Sequence, residues 1–590
     1  MRQFGAFPGR GISYKWLIVL TLFTLSLALT SAPQGRAFAQ AQQQTAAQPP
    51  ATPPQQAQPE IAMIPVDLVS PIERADKDGT ALRMSLKDIT KLALQANLDI
   101  AIADTNEEVN RQKVIAAHSA WDPSLSLSGS TSSSNSANTQ VTNASSAGFI
   151  NTTNAANWSF GLSQPLPFYG GSLNLSWGSN RRDTNQVNDL FSPSYGTSGT
   201  LRYTQPLWRN LKIDGNRQQL KVVNLDVQLN DSSFKSTLTS TIARIQQAYW
   251  NLVSVIESYD IARRSVELAR ITVANNKKKV EIGTSAPIDV TSSLATQASR
   301  EVDLISSEER ILTAQNTLKQ LISNDRNAEI WSKMIVPTDR PDFVDYKVSL
   351  NEAIDSALKN RPELEQSDIN LTKNDLTYQL NQNSKKWQVD MSFTIGANGN
   401  AGPQSFWPDP NPGNPSLAGK PKISPQFVGG ILTSYKTVFT EGTYNWNLGF
   451  SVTIPLRNRN IDTTLAQTRI SRQVLLMNRS KTEQSIIVEI RNAVQALNTA
   501  KNRLKTAEVS RQLSEAQLDA ENKRFNAGLS QNYLVLQRQN ELASAQLSEL
   551  QALISYRTAI ITLQQSMFTL LDASDVQVAK GSSTKIQGFK

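Results

Sequence analysis

The chain has 590 residues, no cysteine and a single histidine, His118. The missing thiols exclude disulfides, thiolate catalysis and thiolate metal ligation, and one histidine leaves no two-histidine zinc site and makes any Ser-His-Asp triad depend on His118 alone. The net charge of +9 comes from 59 basic and 50 acidic residues that are interspersed, which gives no support to nucleic-acid binding. We therefore expect no catalytic residue, no metal site, no cofactor and no nucleic-acid partner.

The first 39 residues have the pattern of a secretory signal peptide. A basic start precedes the apolar run at residues 16–29, and Ala37-Phe38-Ala39 supplies an A-x-A cleavage site, so we expect the mature chain to start near Gln40. At about 14 residues, this run is shorter than the roughly 20 that span a bilayer. A single N-terminal anchor remains the alternative.

The next segment, residues 40–84, begins with a stretch rich in Gln, Ala and Pro and predicts a disordered tether. The first ordered helix is predicted at Ser85, because Asp88 three residues later makes a start that resembles a capping box. At the other end of the chain, residues 573–590 predict a polar tail.

An internal repeat organises the chain between these ends. The segment "SLKDITKLALQANLDI" at residues 85–100 recurs as "SLNEAIDSALKNRPEL" at 349–364. Likewise, "KKVEIGTSAPIDV" at 278–290 recurs as "KRFNAGLSQNYLV" at 523–535. Self-similarity of this kind indicates one structural unit present twice. We assign the first repeat to residues 85–345 and the second to 346–572, each with a helix, strands and a long helical hairpin.

Mostly apolar residues recur at steps of three and four from Phe234 to Val273, which is the pattern of a coiled-coil seam. The pattern predicts one helix over residues 216–280 and a second over 462–526, each roughly 100 Å long at about 1.5 Å per residue. Both helices run into a glycine, Gly283 or Gly528, as expected at a left-handed helix end. The basic runs at 276–279 and 522–524 flank these turns and predict a solvated face.

Between the helices, short segments alternate between apolar and polar residues, the pattern of strands with two unlike faces. In "NWNLGFSVTIPL", residues 445–456, one face carries Trp446, Leu448 and Phe450 while the other carries Asn, Gly, Ser and Thr. Strands of this kind with aromatic residues near their ends are typical of an outer-membrane β-barrel, and too few are present for one chain to close a barrel alone. Similar segments lie at residues 122–129, 158–166, 172–178, 194–208 and 387–396.

Two features of these strands stay open. A further hairpin around residues 164–171 makes the number of strands per chain either four or six. A long loop rich in Pro and Gly at residues 398–425 separates two strands, and we expect it at the cell surface, because such barrels keep their short turns on the periplasmic side.

The combination resembles the TolC family of outer-membrane efflux channels over residues 85–572. The similarity rests on "QPLWRN" and "IPLRNR" after strands, on the hairpin turns "EIGTSAPIDV" and "NAGLSQNYLV", and on "ALKNRPEL". It implies a mainly α fold with a membrane β-barrel segment, in which a β-barrel shared by a homotrimer continues into a long α-helical coiled-coil barrel. It also implies a periplasmic adaptor that docks at the helical tip, and an inner-membrane pump.

In that family, the hairpin turns form the grooves where adaptor helices meet the channel. Position by position, the resemblance assigns adaptor binding to Gly283, Thr284, Ser285, Gly528, Leu529 and Ser530. The alternative is that the two glycines only end their helices.

Family members often close the inner tip with aspartates that form cation-binding rings. Leu534 and Gln537 occupy those positions here, so cation-sensitive gating is in doubt and Tyr533 is a candidate for an apolar constriction. Asp289 matches a family aspartate in the outer hairpin and completes the candidate gate. It is equally suited to the first turn of a helix that starts at Pro287.

These observations favour a passive exit duct of a tripartite efflux pump or a type I secretion system. We expect it in the outer membrane of a Gram-negative-type envelope, in contact with outer-membrane lipid and extending into the periplasm. The alternative is a non-conducting coiled-coil trimer that is anchored by a barrel and serves as a structural spacer. A spacer has no need for glycine turns at equivalent places in both repeats.

Overall fold

The structure is a computed structural model that describes residues 67–137, 150–186, 189–403, 423–441 and 443–576. The predicted signal peptide, the first part of the predicted tether and nearly all of the predicted C-terminal tail lie outside these residues. Among the described helices, none combines the length and apolar character needed to cross a membrane.

Helices form most of the described chain. Their bounds are α1 (Pro71–Lys77), α2 (Leu86–Ala96), α3 (Leu98–His118), α4 (Gly215–Glu281), α5 (Pro287–Ile322), α6 (Leu350–Asn360), α7 (Pro362–Ser384), α8 (Ile431–Thr440), α9 (Arg459–Asn526), α10 (Asn532–Ser566) and α11 (Leu570–Ala573).

The strands form two sheets. Their bounds are β1 (Ala81–Met84), β2 (Ser124–Ala137), β3 (Ile150–Pro165), β4 (Ser172–Thr184), β5 (Ser194–Pro206), β6 (Met334–Pro337), β7 (Gln388–Ala401) and β8 (Tyr444–Thr453). β1 and β6 pair in parallel, and the other six strands form an antiparallel sheet in the order β2-β3-β4-β5-β7-β8. Within the described residues, the number of strands in this sheet is therefore six, because the chain turns at residues 166–171 to join β3 to β4.

The predicted duplication is confirmed for the helices, whereas the first repeat contributes β2, β3, β4 and β5 to the large sheet and the second only β7 and β8. Helices α4 and α9 have 67 and 68 residues, and α5 and α10 have 36 and 35. Each repeat also starts with a capping box. The Ser85 or Ser349 hydroxyl accepts from the backbone N–H three residues on, and the acidic side chain of that later residue accepts from the backbone N–H of the serine.

The four long helices lie side by side in the order α5-α4-α10-α9, since α4 packs against α5 and α10, and α10 packs against α9. Three apolar clusters of the described residues stabilise them, one centred on α4, one on α9 and α10, and a smaller one between α4 and α5. The outer two helices carry large apolar side chains that remain exposed in the single chain. These are Val302, Ile305 and Leu312 on α5, and Val488, Val509 and Leu513 on α9.

A tyrosine from each repeat holds the segment that joins the repeats. The buried Tyr249 hydroxyl donates to Asp339 Oδ2 at 2.7 Å, and the buried Tyr556 hydroxyl donates to the Val344 carbonyl at 2.8 Å. Burial and the Asp339 carboxylate raise the pKa of Tyr249. Each buried hydroxyl thus has a hydrogen-bond partner, and these bonds hold the segment that joins the repeats in place.

The predicted tether differs from the structure at its C-terminal end, where α1 and β1 precede the helix expected to be first. α1 starts with a capping box at Ser70, and Arg263 of α4 donates to Glu73 at 2.8 Å. β1 pairs with β6, which comes from the far end of the same repeat. A local sequence window cannot reveal such a partner, so the predicted C-terminal bound of the tether at residue 84 is wrong.

The six-stranded sheet keeps its apolar residues in register. One row crosses every strand of this sheet through Leu125, Leu162, Leu175, Leu201, Ile395 and Trp446. The opposite face is lined with Ser, Thr and Asn, and its Ser and Thr hydroxyls bridge neighbouring strands, as between Ser128 and Ser159 at 2.7 Å and between Ser176 and Thr200 at 2.7 Å. The alternation seen in the sequence thus gives one apolar and one polar face.

The predicted loop at residues 398–425 is shorter at its start and is followed by an unpredicted helix. β7 continues through Ala401, so the first four residues of the predicted loop are strand, while residues 404–422 lie outside the described chain. α8 follows before β8 and packs against β5 and β7. Its Thr, Tyr, Val and Phe residues have strand propensity, and packing on the sheet overrides that preference.

Candidate functional site

The two hairpin turns at the far end of the long helices have the same backbone geometry. Gly283 and Gly528 have φ angles of +73° and +74°, in the region that favours glycine. After Gly283, the Thr284 N–H donates to the Lys279 carbonyl at 2.8 Å; after Gly528, the Leu529 N–H donates to the Arg524 carbonyl at 2.9 Å. Each turn is a Schellman motif, so both glycines end their helices as the alternative interpretation requires.

Side chains around the first turn stabilise the start of α5. The Ser285 hydroxyl donates to Asp289 Oδ2 at 2.5 Å, and Pro287 is the first residue of the helix. A carboxylate in the first turn also interacts favourably with the helix dipole. Asp289 therefore has a structural role at this position, whatever its part in gating.

Like the first turn, where Ile282 and Ile288 are 72% and 68% exposed, the second turn presents apolar side chains. Leu529 is 73% exposed and Tyr533, one residue into α10, is 68% exposed. Behind them, the Ser530 hydroxyl donates to the buried Glu521 carboxylate of α9. Of the residues predicted to bind the adaptor at this turn, Leu529 is thus an exposed apolar side chain and Ser530 is hydrogen-bonded to α9.

The candidate gate positions Leu534 and Gln537 continue into a charged pair that the sequence analysis missed. Gln537 Nε2 donates to Glu541 Oε1 at 3.0 Å, and Arg538 Nη1 donates to Glu541 Oε2 at 2.5 Å. This bond from Arg538 holds the pKa of the Glu541 carboxyl below its usual range. The spacing of three and four residues from Leu534 to Gln537 to Glu541 places all three on one helix face. Arg538 and Glu541 are three residues apart on the same helix, and this spacing would have revealed the pair.

The tips of the two hairpins touch each other. The Lys279 ammonium near the end of α4 lies 3.6 Å from the centre of the Phe525 ring near the end of α9. Further from the tip, Gln539 Nε2 of α10 donates to Thr272 Oγ1 of α4 at 3.4 Å, and Arg300 of α5 donates to Asn540 of α10. The prediction of a solvated face for the basic run at 276–279 is wrong for Lys279, because its ammonium group contacts the Phe525 ring.

Within each hairpin the connection is stronger. Glu301 of α5 is buried and accepts from Arg270 of α4, at 2.9 Å to Nη2. Arg511 of α9 pairs with Glu549 of α10 at 2.6 Å. The hairpins are thus internally tied by charged pairs and apolar cores, whereas near their tips they meet through a cation–π contact and hydrogen bonds with uncharged acceptors.

The other end of the molecule presents the apolar face of the sheet. Trp446 and Phe450 are 73% and 64% exposed on this face. Aromatic residues lie at both ends of the strands, with Trp208 and Trp387 6.2 Å apart near the helices, and Tyr444 at the opposite end of β8. This distribution of aromatic residues around an apolar band is typical of strands in a membrane.

No group of three or more metal-ligating side chains occurs within the described ranges. The candidate site is a surface made of the two turns, the seam between the hairpins and the gate positions on α10.

Comparison with known proteins identifies the family. The sequence profile of the outer membrane efflux protein family matches residues 171–324 and 353–567, one segment in each repeat. No curated protein matches the chain.

Several solved structures share the fold. The Campylobacter jejuni CmeC outer membrane channel is 16% identical, with a TM-score of 0.57, and the match covers 82% of this chain and 86% of that one. The outer membrane protein VceC from Vibrio cholerae is 15% identical, with a TM-score of 0.54, covering 83% and 95%. The open state of the Neisseria gonorrhoeae MtrE outer membrane channel is 14% identical, with a TM-score of 0.54, covering 82% and 89%.

The family match extends over more than half of the chain, and the shared fold agrees with it. The resemblance to TolC-like channels inferred from the repeats and hairpin turns is thereby confirmed. The chain belongs to the outer membrane efflux protein family.

Proposed function

We propose that three copies of this chain form the outer-membrane exit duct of a tripartite efflux pump or type I secretion system. The duct is passive: substrate enters at the hairpin tips from a periplasmic adaptor and an inner-membrane pump, and leaves through the barrel. The observation that carries the proposal is that both layers of the chain end in open edges.

In the sheet, the open edges are β2 and β8, the first and last strands of the described order. In lipid, each unsatisfied backbone group costs several kcal/mol, so strands with an apolar outer face need a neighbour at both edges. In the helical layer, the outer helices α5 and α9 carry the exposed apolar residues named above. Joining β8 of one copy to β2 of the next, and α9 to α5, satisfies both layers with one head-to-tail contact.

The number of strands supports the duct. Three copies of a six-stranded sheet give eighteen strands. Barrels of about 16–18 strands leave an aqueous channel, whereas barrels of about eight are filled by side chains. The Ser, Thr and Asn face of the sheet would line that channel.

Gating is the second part of the proposal. The pair α9–α10 moves as a body against α4–α5, because the charged pairs lie within the hairpins and only weaker contacts join their tips. Tyr533 and Leu534 narrow the entrance in the closed state. The adaptor opens it by binding the exposed turns at Gly283 and Gly528 more tightly in the open arrangement.

Deletion of the gene in its native host tests this function against the structural spacer. We expect cells without the protein to accumulate more of some dyes or toxic compounds in a broad panel, and the wild-type gene to restore export. Leu529→Arg should fail to restore export, although the protein still reaches the outer membrane as a trimer. A spacer predicts the opposite pattern, with altered envelope shape and unchanged accumulation of every compound.

A further inference from the structure

The helix α8 occupies an unusual place on the outside of the sheet. It lies on the apolar face, where Ser434 Oγ and Thr197 Oγ1 of β5 share a hydrogen bond of 2.7 Å and the Thr437 hydroxyl donates to the Asn400 carbonyl of β7 at 3.3 Å. Gly399 of β7 permits this approach, because a Cβ there would collide with the Ser434 carbonyl oxygen.

Aromatic contacts join one edge of α8 to the sheet. The rings of Tyr435 and Phe439 lie 6.1 and 5.9 Å from that of Trp177, each inclined by 18°. Trp158 Nε1 donates to the Tyr435 hydroxyl at 3.0 Å. Ser434, Thr437 and Val438 are buried against the sheet, so two of the three buried side chains are polar, whereas a helix on a water-soluble protein usually buries an apolar stripe.

The exposed surface of α8, which includes the outer part of Phe439, is apolar with one cation. Leu432 is 79% exposed, Phe439 is 70% exposed, and Lys436 between them is exposed as well. Steps of four and three residues place these three side chains in one stripe along the helix. Helices that lie in a membrane interface combine large apolar residues with basic ones, and α8 exposes both kinds.

The position of α8 along the strands agrees with the level of a membrane–water interface. Along β7, the eight steps from Trp387 near the helices to Ile395 rise roughly 27 Å at about 3.3 Å per residue. With the strands tilted by about 40°, this corresponds to a height of roughly 20 Å, close to the apolar band of about 25 Å in such barrels. α8 contacts β5 and β7 just beyond this level, at Thr197 and Asn400, on the side away from the long helices.

We propose that α8 is an interfacial helix that lies in the lipid leaflet at the outer end of the barrel. Leu432 and Phe439 enter the acyl chains, and Lys436 pairs with lipid phosphate groups. The inference rests on the proposed function, because it requires the apolar face of the sheet to be in lipid. A neighbouring copy is a poorer occupant, since copies join at β2 and β8 while α8 lies on β5 and β7.

The absence of cysteine from the chain permits a direct test by spin labelling. Single variants Leu432→Cys and Phe439→Cys of the full-length protein carry a nitroxide in nanodiscs of phosphatidylethanolamine and phosphatidylglycerol. Collision rates are measured with oxygen, which partitions into lipid, and with a water-soluble nickel chelate. Phe450→Cys on the sheet is the lipid reference. Leu529→Cys at the hairpin turn is the matched water reference, since its native leucine is almost as exposed as Leu432.

We expect the ratio of oxygen to nickel collisions at both α8 positions to be several-fold above that at Leu529→Cys and below that at Phe450→Cys. A ratio equal to that at Leu529→Cys, with Phe450→Cys still in lipid, would overturn the inference and leave the proposed function intact. Low collision rates with both reagents would mean a protein neighbour and would also overturn it. If Phe450→Cys behaves like Leu529→Cys, the lipid-facing sheet itself is wrong.

Discussion

The Lys279 ammonium nitrogen lies 3.6 Å from the centre of the Phe525 ring, which joins the tip of the first hairpin to the tip of the second. The contact is worth about 0.5–1 kcal/mol at an exposed position. If the contact holds the closed tip together, Lys279→Ala should raise the ratio of separated to joined tips roughly two- to five-fold, because a loss of about 0.5–1 kcal/mol changes an equilibrium constant by that factor. Open probability in single-channel recordings measures this ratio.

Lys278→Ala is the matched control for this substitution. Lys278 is exposed, and replacing it removes the same charge from the same basic run. It should leave the open probability near the wild-type value. Equal effects of the two substitutions would attribute the change to net charge and refute a specific role for the Phe525 contact.

Tyr533 and Leu534 are expected to set the width of the closed entrance. Replacing both with Ala removes the exposed phenol ring and the neighbouring isobutyl group, so the conductance of the closed-state pore should rise. Asp289→Asn should change it little, because the amide oxygen can still accept from Ser285 and no ring of inner carboxylates is lost. Strong block by multivalent cations that disappears in Asp289→Asn would instead make the outer hairpin the gate.

The Arg538–Glu541 pair predicts a pH-dependent selectivity. Because Arg538 lowers the pKa of Glu541, the pair is intact above the ordinary glutamate pKa of about 4.3 and is lost as the pH falls through the lowered value. Arg538→Gln should unmask the carboxylate, which raises the permeability of cations over anions at neutral pH. On acidification, this excess should disappear at a higher pH than the pH at which wild-type Glu541 protonates.

Reversal potentials in a salt gradient measure the selectivity across this pH range. The double variant Arg538→Gln/Glu541→Gln is the control and should return the permeability ratio to near the wild-type value. An unchanged ratio in Arg538→Gln would show that this face of α10 does not line the conduction path.

The sheet predicts large costs for charge on one face only. Phe450 and Val452 pair with Met391 and Val389 on the apolar face, and an arginine near the bilayer midplane costs roughly 2–4 kcal/mol. Phe450→Arg and Val452→Arg should therefore lower the free energy of unfolding in lipid vesicles by about that amount. Ser451→Arg, which points to the polar face, is the control; equal stability of all three variants would rule out a lipid-facing surface.

The sequence predicted the elements whose signal is local. Periodicity from Phe234 to Val273 was sufficient for the long helix, glycines marked both turns, and alternation around Phe450 assigned the faces of β8. Ser85 and Ser349 also gave the helix starts, since a capping box needs only four consecutive residues.

The missed features depend on partners far away in the chain. β1 needs β6, α8 needs the surface of β5 and β7, and Lys279 meets Phe525 from the other repeat. None of these contacts leaves a periodic trace in a short window. The Arg538–Glu541 pair is the exception, because a spacing of three residues on one helix is visible in the sequence alone.

The central claim is that assembled copies of this chain enclose a gated pore, and single-channel recording of the purified protein in planar lipid bilayers tests it most directly. We expect discrete current steps from the wild-type trimer, with longer and larger openings in the Tyr533→Ala/Leu534→Ala variant. If correctly inserted trimers of both proteins carry no current at any voltage, the chain is a closed structural spacer and not an exit duct.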